Sequence, residues 1–223
     1  MVAKIKSDPH LETAHVLFID VVGSFRLLVN EQREVVQQLN EIVRATPQFR
    51  QSSAAGKLIR IPTGDGMALV FFKSPEEPVH CAMEIAKALK SYPHIRLRMG
   101  VHSGPVDQVT DVNDQTNVAG AGINFAQRVM DCGDAGHILV SKRVADDLAQ
   151  DRLWQPLLHE LGEIEVKHGA AQIAPLGIQL GEDFRISHVR PSAFELERLH
   201  FFSRLSETAN GIGQFVFASR RRL

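Results

Sequence analysis

The chain has 223 residues, 25 Lys and Arg against 26 Asp and Glu, a net charge of −1 and 44% hydrophobic residues. That is enough for one sizeable domain plus an arm, and the near-neutral balance gives no sign of a nucleic-acid or membrane-surface binder. The only two cysteines, Cys81 and Cys132, lack metal-type spacing, no apolar run can span a bilayer, and the opening MVAKIKSDPHLETA has no signal core, so a reduced cytoplasmic protein is the expectation.

The run His15–Asp20 reads as a strand buried on both faces and ending in a carboxylate. A glycine turn, Gly23-Ser24, then leads into a predicted helix over 25–45, where Val35, Val36, Leu39, Ile42 and Val43 recur at helical spacing. Pro47 falls just beyond its end, and QSSAAG (51–56) reads as a small polar connector. KLIRIP and GMALVFF read as two strands joined at Thr63-Gly64-Asp65-Gly66, a hairpin turn signal. Ser74-Pro75-Glu76-Glu77 opens a helix to about Leu89, with a capping Ser and acids in the first turn. Arg96–Val101 reads as a strand, followed at Gly104-Pro105 by a polar loop, DQVTDVNDQTN, that ends near Gly120. GINFAQRVMD reads as a helix, HILVS as a strand and SKRVADDLAQ as a helix, and LLHELGEIEVKHG suggests a late hairpin. The order βαββαβ with further α and β elements predicts an α+β, ferredoxin-like sandwich over 12–180. The character changes after about residue 183. The expectation for 181–223 is a C-terminal arm, in which FELERLHFFSRL (194–205) can form an amphipathic helix.

Asp20 and Asp65 both sit at strand ends. If their strands are neighbours, two carboxylates meet at one sheet edge, and without a cation one would stay protonated. A hard divalent ion such as Mg²⁺ or Mn²⁺ resolves the conflict, being held by one or two carboxylates plus substrate phosphates. The amides of the turn after Asp20 add an anion site. Taken singly, each Asp has a structural explanation as a cap or turn residue, and the inference rests on the combination. The ten histidines show no zinc-type spacing, and His102 and His137 read as core or strand-end residues.

FIDVVGSF, PTGDGMALVF, MGVHSGPV and GINFAQRVMDCGDAGHILVS, in this order, resemble the catalytic domain of class III nucleotidyl cyclases over roughly residues 12–170. The resemblance implies a homodimer with interfacial active sites and two divalent ions, Mn²⁺ or Mg²⁺, in each. It also implies attack of the ribose 3′-hydroxyl on the α-phosphate of a nucleoside triphosphate, giving a 3′,5′-cyclic nucleotide and pyrophosphate. By the resemblance, Asp20 and Asp65 match the metal-binding aspartates, and Val21 matches the position whose backbone carbonyl touches a metal. Gly23, Ser24 and Phe25 match the triphosphate-binding turn, and Lys167 falls near a phosphate-binding lysine. Asn124 and Arg128 match the transition-state pair. Four residues apart, they share one helix face and can reach one substrate.

The chain departs from the family at the base. The position four before the second metal aspartate, Lys or Glu in purine cyclases of this kind, is Ile61. The position seven before the transition-state Asn is Asn117. Neither the adenine nor the guanine signature is present. An Asn carboxamide both donates and accepts. It can pair with uracil O4 and N3–H, and guanine offers O6 and N1–H in the same sense. An apolar Ile61 reads no polar edge, which favours a smaller base. The layout is also similar to the bacterial pyrimidine cyclases of Pycsar anti-phage defence. The expectation is a uridylate cyclase whose product is read by a separate cyclic-nucleotide-binding effector. The alternatives are an adenylate or guanylate cyclase of the same fold, a catalytically dead cyclase-like binding domain, or a plain ferredoxin-like interaction module.

Overall fold

The computed structural model describes residues 11–110, 112, 114 and 116–159, and the backbone of 160, 164–165, 172–173 and 176–178. Its centre is β1 (Glu12–Val21), which takes in the predicted strand and extends it at both ends. Alternation along β1 divides the interior. Leu17, Ile19 and Val21 enter one apolar cluster, and Ala14, Val16 and Phe18 enter another on the opposite face.

The first cluster is closed by α1 (Val29–Ala45), α2 (Pro47–Ala54) and α3 (Glu76–Ala88). They contribute Val35, Leu39, Ile42, Val43, Phe49, Val79, Cys81, Ala82 and Ile85. The helix predicted from residue 25 starts later. Ser24–Arg26 forms a 3₁₀ turn, Leu27 and Leu28 are extended, and the Glu31 carboxylate accepts from the Leu28 N–H at 2.8 Å. The carboxylate satisfies an amide at the helix start, so α1 begins there. Pro47 starts a helix rather than following a stop. It stands at the first position of α2, capped by Thr46 Oγ1, which accepts from Phe49 N at 3.4 Å. Most of the expected connector 51–56 is therefore helical.

Strands β2 (Leu58–Pro62) and β3 (Gly66–Phe71) form the predicted hairpin. The segment expected to be a strand and then a polar loop is one long strand, β4 (Leu97–Thr110), paired antiparallel with β5 (Thr116–Ala119). Polar side chains at 107–110 and 116–117 read as loop because this part of the hairpin runs out to solvent, where no buried face imposes alternation. The crossover helix α4 (Ala121–Asp131) leads into β6 (Ile138–Val140), parallel to β4, and α5 (Lys142–Leu148) follows with Ser141 as its cap.

The late hairpin is not formed as expected. β7 (Leu158–Glu160) pairs with β10 (Leu176–Ile178), and β8 (Ile164–Glu165) pairs with β9 (Gln172–Ile173). The sheet order is β2-β3-β1-β4-β6-β10-β7, with β5 attached to β4. Its first four strands have the antiparallel ferredoxin-like order.

Helix α4 lies on the second face, where Ala126 and Met130 join Val16, Phe18, Val70 and Val106. It approaches very closely because β4 carries Gly100. A Cβ there would lie 2.4 Å from Met130 N and 2.7 Å from Ala126 O. Among the described residues no helix is long and apolar enough to cross a membrane. Lys167 and the expected arm at 181–223 lie outside the described residues.

Candidate active site

Strand register brings the two aspartates together. Asp20 faces Gly66 across the β1–β3 ladder, and Asp65 immediately precedes Gly66 in the turn. The approach demands glycine at 66, since a Cβ would fall 2.0 Å from Ile19 O. Ser24, buried behind the turn, donates its hydroxyl to Asp65 Oδ2. Gln32 Nε2 donates to Ser24 O at 3.1 Å and to Leu27 O at 3.0 Å, tying the turn to α1. The chain enters the turn at Gly23 (φ 83°). Arg26 and Leu27 donate back to Gly23 O and Ser24 O, while the amides of residues 23–25 have no backbone acceptor among the described residues. Phe25 is 78% exposed. Beside the turn lies a cavity of about 320 Å³ lined by Val21, Ser24, Leu27, Val35, Gly64 and Asp65, among others.

Two further residues, absent from the sequence reading, complete the electrostatics. Arg98 faces Asp20 across the β1–β4 ladder, and its Nε donates to Asp20 Oδ2 at 2.8 Å. A terminal guanidinium nitrogen of the same Arg98 lies 3.2 Å from Oδ1 of Asp131, the last residue of α4. Burial pushes the Asp20 carboxyl above the usual carboxylate range, Arg98 opposes the shift, and Asp65 reinforces it. Asp131 is raised for the same first reason, with Arg98 lowering it and Asp20 raising it. Both residues carried a signal. An arginine inside the apolar strand LRMGV needs a buried partner, and an aspartate in the last turn of a helix opposes the helix dipole unless a cation answers it.

The donor set at this edge consists of carboxylate and carbonyl oxygens. Among the described residues there is no group of three or more His, Cys, Asp and Glu able to hold a metal alone. Two carboxylates without soft ligands fit a hard divalent ion that shares its coordination with substrate phosphates, and do not fit zinc.

Asn124 and Arg128 lie on α4, where Asn124 is exposed and Arg128 half-buried. The Arg128 guanidinium sits 5.4 Å over the Phe125 ring and has no carboxylate partner among the described residues. Phe125 in turn stacks on His102 at 5.2 Å, and His102 Nδ1 is 2.9 Å from Ser141 Oγ. Arg128 and Asn124 stand three and seven residues before Asp131. At the helical rise they recede about 4.5 and 10.5 Å along α4 from the Arg98–Asp131 contact. Ile61 on β2 is partly buried against the second cluster beside Ile59 and Ile123. Asn117 lies on β5, and β2 and β5 are neighbours. Asn117 Oδ1 accepts from Val118 N at 2.7 Å, which fixes the carboxamide with its NH₂ group free of that bond.

Sequence comparison with curated proteins returns no match. The fold is shared with solved structures. An adenylate cyclase from Trypanosoma brucei, solved in its monomeric state, superposes with TM-score 0.65 at 16% identity, covering 85% of this chain and 99% of that one. The guanylate cyclase domain of RhGC from Catenaria anguillulae, in complex with GTP, gives TM-score 0.60 at 21% identity, covering 75% and 96%. An adenylate/guanylate cyclase/hydrolase from Silicibacter pomeroyi gives TM-score 0.59 at 24% identity, covering 78% and 99%. The sequence model of the adenylate and guanylate cyclase catalytic domain matches residues 7–178. A match over most of the chain, on a fold that sets two aspartates side by side at a sheet edge, means that this chain belongs to the adenylate and guanylate cyclase catalytic-domain family.

Proposed function

We propose that this cyclase domain converts UTP into 3′,5′-cyclic UMP and pyrophosphate, and that the product is a second messenger for a separate effector in anti-phage defence. The observation that carries the base assignment is the pair Ile61 and Asn117. Ile61 has no hydrogen-bonding side chain and is partly buried beside Ile59. Asn117 spends one oxygen lone pair on Val118 N and keeps its NH₂ as donor. The NH₂ can donate to O4 of uracil, and the second lone pair of Oδ1 can accept from its N3–H. Guanine O6 accepts equally well, so GTP is the second reading. It would leave the guanine 2-amino group facing an apolar Ile61, which carries a desolvation cost.

Asp20, Asp65 and the Val21 carbonyl would hold the two divalent ions, Mg²⁺ or Mn²⁺, which when bound lower the pKa of the ribose 3′-hydroxyl and neutralise the triphosphate. Ser24 keeps the Asp65 carboxylate in place through its hydroxyl. The free amides of residues 23–25 receive phosphate oxygens. Arg128 neutralises charge gathering on the α-phosphoryl oxygens as the 3′-oxygen bonds to phosphorus and pyrophosphate leaves. Asn124, one helical turn away, orients the ribose. As the resemblance to class III cyclases implies, the working site joins Asp20 and Asp65 of one subunit to α4, Ile61 and Asn117 of a second. A homodimer with two interfacial sites is the arrangement that follows.

The test is incubation of the pure protein with Mn²⁺ and each of ATP, GTP, CTP and UTP, with products resolved by chromatography. A cyclic UMP peak as main product is expected. Cyclic AMP as main product would overturn the base assignment and leave the cyclase mechanism standing.

A further inference from the structure

The bridge Asp20–Arg98–Asp131 has a geometry that an ordinary ion pair does not need. Different nitrogens of one guanidinium serve the two carboxylates at once, Nε at 2.8 Å from Asp20 and a terminal nitrogen at 3.2 Å from Asp131. The carboxylates also differ in exposure, with Asp20 at 19% and Asp131 at 48%. Arg98 thus lies between an inner carboxylate at the metal edge and an outer one at the end of the helix that bears Arg128 and Asn124.

A fixed guanidinium on Asp20 competes with any other cation for the same oxygens. A bidentate fork that already touches a second carboxylate can give up the first without becoming an uncompensated charge. We infer that Arg98 is the counter-cation of Asp20 whenever no metal is bound there, and that Asp131 is a positioning residue that draws Arg98 aside when Asp20 takes up a divalent ion. Asp131 therefore promotes metal loading, although it lies outside the metal-facing carboxylate pair. Arg98 opposes loading, and the exchange links occupancy at Asp20 to the C-terminal end of α4. The inference rests on the reading of Asp20 as a metal ligand.

The two residues carry opposite signs in a measurement that needs no turnover, the affinity of the nucleotide-free protein for Mn²⁺ read by the paramagnetic resonance of the free ion. Arg98→Gln is expected to tighten Mn²⁺ binding about tenfold, and Asp131→Asn to weaken it several-fold, as charges next to Asp20 are removed and unshielded. Arg96→Gln removes the same charge from an exposed site two residues away and is expected to leave affinity unchanged. In the double variant Arg98→Gln/Asp131→Asn, the Asp131 effect is expected to shrink, because Asp131 acts through Arg98. An equal Asp131 effect with and without Arg98 would overturn the inference, since it would reduce Asp131 to a distant charge, and so would weaker binding in Arg98→Gln. Asp20→Asn separates the two levels. Loss of Mn²⁺ binding there, with no change in Arg98→Gln and Asp131→Asn, sinks this inference alone. Undiminished binding in Asp20→Asn sinks the metal reading and this inference with it.

Discussion

Gly100→Ala tests whether the closeness of α4 to β4 is a working feature of the site. The added methyl would lie 2.4 Å from Met130 N and 2.7 Å from both Ala126 O and Met130 Cα. All three atoms belong to the helix backbone, so no side-chain rotation relieves the overlap. Ordinary contact begins at 3.4 Å, and α4 must therefore withdraw by about 1 Å. Overpacking of this kind costs about 1–3 kcal/mol, and the rigid backbone places this case at the upper end. The same shift moves Arg128 and Asn124, and a misplacement of 1 Å in a reacting constellation costs about 100-fold in rate. Urea unfolding read by circular dichroism gives the first number, and turnover on the preferred triphosphate with Mn²⁺ gives the second. The expected result is a lower midpoint at unchanged slope, with turnover falling far more than the Michaelis constant rises. A Gly100→Ala protein with wild-type midpoint and turnover would show that α4 does not depend on this contact.

Asp20→Ala and Asp65→Ala are each expected to abolish cyclic nucleotide formation while the far-ultraviolet spectrum stays native, and normal turnover in either would remove the metal assignment. Arg128→Ala should lower kcat at least 100-fold with little change in substrate affinity, since its charge serves the transition state, and steady-state kinetics read the split. Ser24→Ala leaves the Asp65 carboxylate without its hydroxyl donor. A hydrogen bond to a charged group contributes about 1.5–3 kcal/mol, so weaker Mn²⁺ binding by tenfold or more is expected in the same resonance assay. Burial, and then Arg143, pull His102 down to about 4 in the fold against 6.5 when exposed. The unfolded chain therefore binds the extra proton between those values, and stability rises with pH across that window and is lost as pH falls through it. Denaturation midpoints from pH 4 to 7 should show a slope that His102→Asn reduces, and an unchanged slope would mean that His102 is not protonated on unfolding.

The sheet was readable in outline because its strands obey strong rules. β1 is apolar on both faces, β2 and β3 meet at a glycine turn, and Ser141 caps α5. What escaped the sequence was decided by partners distant along the chain. Polar residues at 107–110 and 116–117 read as loop, yet they pair in the outer half of the β4–β5 hairpin. Pro47 marks a helix boundary by either reading, and only the Thr46 hydroxyl decides that a helix begins there. The short strands β7 and β8 take partners that follow them at a distance, and a local pattern cannot rank such pairings. The juxtaposition of Asp20 and Asp65 was legible because one closes an apolar strand ahead of a glycine turn and the other sits in the Gly-Asp-Gly turn of a hairpin. Arg98 and Asp131 each signal a need for a charged partner, but which partner was not legible, because 78 residues separate Asp20 from Arg98 and only the β1–β4 register makes them neighbours.

The parts of the site differ in how firmly the fold holds them, and this bears on which can vary. The edge that carries Asp20 and Asp65 is built into the ladder β3-β1-β4 at the centre of the sheet. Asp20 is in register with Gly66 on one side and Arg98 on the other, and Gly66 tolerates no side chain. Any change there moves three strands together. The two positions assigned to the base lie elsewhere. Ile61 is on β2, the edge strand of the sheet, and Asn117 is on β5, which hangs from the outer half of β4. Both are only partly buried, and each meets few constraints beyond local packing. Substitution there alters the polarity that a base would meet without disturbing the carboxylate pair or α4. Under the proposed function, a fold arranged in this way can keep one phosphoryl-transfer mechanism while the polarity met by the base changes at positions 61 and 117.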